Sequence, residues 1–104
     1  MAAELTVIHW RDIPMQLVAR GPGGATARAL LTERFQEAVD ASTMVAGLIG
    51  SDEYTEQMRM DRQACGDELD AEVEAARAAL EAEWTDDVLR SAIRAGGYRD
   101  RAPA

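Results

Sequence analysis

Two short apolar segments near the N-terminus, Leu5 to Trp10 and Met15 to Arg20, flank Arg11-Asp12-Ile13-Pro14, and this pattern constrains the fold more than any other in the chain. It predicts two strands folded back on each other through a turn. A lone hairpin is only marginally stable in water, so these strands require a cover, from the chain's own helices or from a partner. In the first strand Leu5, Val7 and His9 share one face and Thr6, Ile8 and Trp10 the other. Both faces are mostly apolar, which suits a strand covered on both sides. The second strand sets Met15, Leu17 and Ala19 on one side and Gln16 and Val18 on the other. Pro14 has a fixed φ and no N–H, so it belongs to the end of the turn or the start of the second strand. Gly21-Pro22-Gly23-Gly24 closes this segment, and Ala25 to Leu31 reads as either a helical turn or an extended connection, with no third strand assigned.

From Thr32 the apolar period becomes helical. Phe35, Ala38, Val39, Ser42, Val45, Ala46 and Ile49 follow the spacing of one buried helix face, Thr32 suits the N-cap and Gly50 the stop. This face is the expected cover for one side of the hairpin. Ser51-Asp52-Glu53 repeats a start signal, predicting a second helix to about Cys65 with Tyr54, Met58 and Cys65 inward and Gly66 as its end. A third helix, Asp67 to Trp84, carries a narrow stripe of Leu69, Val73, Ala76, Leu80 and Trp84 on an otherwise acidic or alanine background. Such a narrow stripe resembles a docking seam. Thr85-Asp86-Asp87 starts a last short helix with Leu89, Ala92 and Ile93 inward and Gly96-Gly97 as its stop.

The expected architecture is a single small α+β domain, an N-terminal β-hairpin packed on three to four helices. Its expected core is Val7, Leu17, Phe35, Val39, Val45, Ile49 and Tyr54. Residues 1–66 form the hairpin-plus-helices unit, 67–97 an acidic helical arm packed on it, and 98–104 a flexible polar tail.

The 104 residues carry a formal charge of −8, with eleven basic residues, all arginine. Duplex nucleic acid is bound largely by basic neutralisation of phosphates, so neither nucleic acid nor an anionic membrane is an expected partner. The single cysteine, Cys65, cannot close an intramolecular disulfide. No run approaches the roughly 20 apolar residues of a membrane span. Met1-Ala2-Ala3-Glu4 lacks the basic and apolar regions of a secretory leader, so the expected location is cytoplasmic.

WRDIP, a short strand, a glycine-containing loop, LTERFQEAVD and AGLIGSDEYTEQMR follow one another between Trp10 and Arg59. In order and spacing these motifs resemble a family of small bacterial proteins called virulence factors. Relatives in that family carry a loop rich in lysine and arginine after the second strand, whereas here ARGPGGATAR keeps only Arg20 and Arg28. The resemblance also implies an association with one-carbon and corrinoid methyl-transfer functions, hence an accessory subunit of a folate or corrinoid enzyme complex as the alternative function.

No constellation for catalysis stands out. His9 is the only histidine and reads either as a packed or partner-facing residue or as an acid/base group or ligand; a zinc site needs three or four ligands at recognisable spacing. Cys65 reads as a buried structural thiol. The glycine cluster after the second strand has neither phosphate-loop spacing nor a lysine to meet a phosphate. The acidic stretch from Asp67 to Asp87 lacks the alternating oxygen ligands of a calcium loop. No catalytic, cofactor-binding or metal-binding residue is therefore assigned. The expected function is non-catalytic protein–protein contact, with another protein or with itself. Trp10 and Arg11 at the hairpin tip are residue types enriched at interface hot spots. With Asp12 and Ile8 they form the favoured partner surface, and Leu80 and Trp84 on the helical seam form its rival.

Overall fold

The computed structural model describes residues 3–99. The hairpin forms as β1 (Ala3–Trp10) and β2 (Ile13–Arg20), joined by only two residues, Arg11 and Asp12. Such a tight loop needs a left-handed position to match the strand twist, and Arg11 takes it at φ 51°. The turn is thus shorter than expected, because Ile13 and Pro14 already pair with Trp10 and His9. A β-bulge makes this possible. Ile8 faces Gln16 while His9 faces Pro14, so Met15 is the extra residue, and the missing N–H of Pro14 falls at an irregularity that tolerates it.

Two further strands complete an antiparallel sheet of order β3-β2-β1-β4. After Arg20, a single 3₁₀ turn at Pro22–Gly24, with Gly23 at φ 72°, reverses the chain into β3 (Thr26–Leu30) beside β2. This resolves the open connection before Leu31 as extended. After α1 (Glu33–Ala46) and the one-turn α2 (Glu53–Glu56), β4 (Met58–Cys65) pairs with β1 along its whole length. The expected second helix is corrected here. Met, Arg, Gln and Ala all favour helices, but β1 offers a free edge of backbone donors and acceptors, and pairing with it overrides local preference.

Two more helices follow, α3 (Leu69–Glu83) and α4 (Asp86–Arg94), the latter capped by Thr85 Oγ1 accepting from the Val88 N–H at 3.2 Å. The cover over the sheet comes mainly from α3, which lies across β2, β3 and part of β1, and not from α1 as expected. Leu5, Leu17, Ala19 and Ala27 meet Val73 and Trp84 in one apolar core, and Leu69, Ala76 and Leu80 pack against it. The acidic arm is therefore half of the core layer. Meanwhile α1 packs on α4 and on β2, burying Phe35, Ala38, Val39 and Ser42.

Leu17, Phe35 and Val39 are core as expected, and Val7 and Tyr54 pack at its margin. Val45 and Ile49 are corrections, at 56% and 65% exposed. The helix ends at a left-handed Gly47 rather than at Gly50, leaving Ile49 beyond it. At 100° per residue Val45 lies about 80° off the stripe through Phe35, where no neighbouring element reaches it. Of the expected tail, residues 100–104 lie outside the described residues, whereas Tyr98 and Arg99 are held against the hairpin tip.

Candidate functional site

The tip of the hairpin is where the sequence placed an exposed aromatic–arginine anchor, and the structure corrects this. Trp10 is fully buried; its ring stacks on Tyr54 with centroids 5.7 Å apart and its Nε1–H donates to the Tyr54 carbonyl at 2.9 Å. The Arg11 guanidinium lies over the Trp10 and Tyr98 rings at 5.1 and 4.7 Å, and it donates to the Gly96 carbonyl at 2.8 Å and to Gln57 Oε1 at 3.2 Å. Asp12 accepts from the Arg99 N–H at 2.9 Å and from Arg59 at 3.2 Å. Its own N–H donates to the Gly97 carbonyl at 3.0 Å. Gly97 is needed for this approach: it sits at φ 105°, and a Cβ there would stand 2.7 Å from the Trp10 ring. The tip is a clasp that ties three distant segments together, with most of its donors and acceptors already engaged.

His9 sits beside this clasp on the helix-side face, opposite Arg59 of β4. Its Nδ1 is buried and lies 3.4 Å from Asp61 Oδ2. Burial, and then the Arg59 charge, hold the imidazole below its ordinary value, against the pull of Asp61 and Asp12. Cys65 is half-buried at the end of β4, where partial burial and the carboxylates of Glu72, Asp67 and Glu4 push its thiol up. That favours the unreactive protonated form. Among the described residues no three His, Cys, Asp or Glu side chains are grouped to share a metal ion.

The rival seam is corrected as well. Trp84 is buried and Leu80 packs against the core, so the narrow stripe of α3 docks on the chain's own sheet. Its polar flank also holds α1. Glu81 accepts from the Thr32 N–H at 2.7 Å and Oγ1 at 3.0 Å, and pairs with Arg34 at 3.0 Å. Thr32 makes no side-chain cap of its own, so Glu81 supplies it. Burial pushes the Glu81 carboxyl up, but the bonds from Thr32 and Arg34 outweigh it and hold the group below its ordinary range.

Of the expected partner residues Ile8 lies on the side of the sheet opposite α3, with Trp10 at the buried end of that side. The register lays out that face in rows: Thr26, Arg20, Glu4 and Ala64; Arg28, Val18, Thr6 and Arg62; Leu30, Gln16, Ile8 and Met60; and Trp10 with Met58 at the end. Val18 and Thr6 are buried between their neighbours, while Leu30, Met60 and Met58 are 72%, 56% and 38% exposed. Ile8, Met15, Gln16, Leu30 and Met58 line a shallow hollow with Gln36 of α1 at its border. Met15 joins this side through the bulge, not the Leu17 side as expected. Three arginines and one glutamate give the face a local positive charge on a chain of net −8. Arg62 lies 3.9 Å from Glu4, whereas Arg20 and Arg28 have no ionic partner among the described residues. The sequence signal for this face was the alternation of Met58 and Met60 with Arg59 and Asp61.

A second exposed apolar patch, Met44, Val45 and Ile49, lies at the end of α1, where Asp40, Gly50 and Tyr54 share a hollow with Met44 and Ile49. No described helix is long and apolar enough to cross a membrane. The model of the virulence factor family matches residues 8–93, and the chain belongs to that family. No curated protein and no solved structure matches the chain.

Proposed function

We propose that this member of the virulence factor family is a non-catalytic interaction protein that docks an acidic, apolar surface of a partner protein on its open sheet face. The observation that carries the reading is the company of Leu30, Met58 and Met60, all exposed, with Arg20 and Arg28, which have no ionic partner among the described residues. Methionine and arginine are enriched at protein interfaces, and a positive patch steers acidic partners to itself. The excess of acidic residues elsewhere turns the same partners away from the remaining surface. Nucleic acid and membrane surfaces stay outside this reading on the same charge argument, and the single half-buried thiol suits a reducing cytoplasm. The one-carbon accessory alternative rests on the resemblance alone; no contact or cavity adds to it.

Affinity capture from the native host, followed by mass spectrometry, tests the reading. The wild-type chain should recover a defined partner in a salt-sensitive manner, and Arg28→Glu with Leu30→Asp should lose it with the helical circular dichroism unchanged. Val45→Asp with Ile49→Asp should keep it. Capture that persists in the first variant and vanishes in the second moves the docking surface to the end of α1. Recovery of a folate or corrinoid enzyme through the sheet face would identify the partner as the one-carbon alternative.

A further inference from the structure

The free edge of β4 is a self-complementary strand, and we propose that two copies of this chain pair there, β4 against β4, into one continuous eight-stranded antiparallel sheet. β4 ends the sheet on one side, and all its residues except Cys65 are exposed. The phase of its backbone follows from the Arg11 N–H donating to the Gln57 carbonyl at 2.9 Å, which continues the β1–β4 ladder past Trp10 and Met58. In an antiparallel ladder hydrogen-bonded pairs alternate with unbonded ones. Arg59, Asp61, Gln63 and Cys65 therefore turn their backbone groups toward β1. Met58, Met60, Arg62 and Ala64 turn theirs outward, toward an edge that carries no further strand among the described residues.

Charged residues usually guard an exposed edge against another strand. They do so only when the arriving strand brings like charges, and that depends on register. A two-fold axis at Arg59, Asp61 or Arg62 sets that residue against its own copy, a like-charge contact that destabilises a strand pair. An axis at Met60 does the opposite. It sets Met60 on Met60 and Arg59 against the second copy's Asp61, twice by symmetry, with Met58 beside Arg62. The outward backbone groups of Met58, Met60 and Arg62 then face one another across the new ladder. Room exists for it, because the covering helix α3 lies over β2 and β3 and leaves β4 aside.

The axis stands perpendicular to the sheet, so both helix layers fall on one side and both open faces merge on the other. The exposed methionines then lie at the centre of the joined face, flanked by the arginines of both copies. This pairing does not depend on the partner-docking reading above, since its groups are the β4 backbone, Arg59 and Asp61.

Sedimentation of the full chain over micromolar to submillimolar concentrations tests it. The wild type should dimerise with concentration. Met60→Pro removes an outward N–H without touching the β1 ladder, and it should weaken association at least about tenfold. Arg59→Asp and Asp61→Arg should each be monomeric alone, because each sets like charges against each other. A mixture of the two variants should associate, since one strand then carries two acids and the other two bases. A wild type monomeric throughout, association that persists in both charge variants, or a mixture that stays monomeric overturns the proposal; if Met60→Pro misfolds, the charge variants decide.

Discussion

The hairpin tip and the β4 edge are built from similar residue types and end in opposite states. At the tip, Trp10, Arg11 and Asp12 are enclosed: the guanidinium lies over two rings and donates to two carbonyl oxygens, and the carboxylate accepts from two segments. Along β4 and the open face, Met58, Met60 and Arg62 stand exposed. Arginine beside an aromatic ring is as good a device for closing a fold as for meeting a partner. The number of donors left over after folding separates the two, and at the tip that number is small.

The largest test of this contrast is Trp10→Ala, which empties a fully buried site and should cost about 3–5 kcal/mol in urea denaturation. Met60→Ala on the open face should change stability by no more than about 0.5 kcal/mol. Equal costs would mean that the two regions do not differ as described. Next, Gly97→Ala drives a Cβ into the Trp10 ring from a left-handed backbone, and about 1–3 kcal/mol should be lost. Glu81→Gln sharpens the comparison from the α3 side, where one carboxylate caps α1 and meets Arg34. A loss of about 1–2 kcal/mol is expected from the weakened cap and charged bond.

The smallest effect concerns His9. Its imidazole is held below 6.5 in the folded chain, so on acidification the unfolded chain binds the proton first. Stability should therefore fall as pH drops through about 6.5, and level off once the folded imidazole also titrates. Thermal melts between about pH 7.5 and 5.5 should show this slope in the wild type and a flatter one in His9→Gln. The depressed Glu81 carboxyl acts in a lower window, its contribution being present above its ordinary value of 4.5 and lost as pH falls below it.

The α+β class, the hairpin and the helices α1, α3 and α4 were legible because each carries its own signal: alternation with a turn, or a helical stripe between a cap and a stop. Thr26–Leu30 and Met58–Cys65 were not. Short edge strands of Ala, Arg, Gln and Met have no strong strand preference, and what extends them is the backbone edge already offered by the hairpin. The candidate site suffered more, since Trp10, Leu80 and Trp84 were picked as partner-facing on residue type and spacing. A stripe looks the same whether its partner is another chain or the sheet preceding it.

Sequence alone determined which residues share a face, because strand and helix periods are local properties of the backbone. It also determined the net charge and the single thiol. Tertiary structure decided which face each element turns inward and which edge stays free. Those outcomes depend on contacts between residues such as Arg11 and Gly96, 85 positions apart in the chain. Local periodicity carries no information about such contacts, and so the tip that looked like a docking point became a clasp while the strand read as a helix became the open edge.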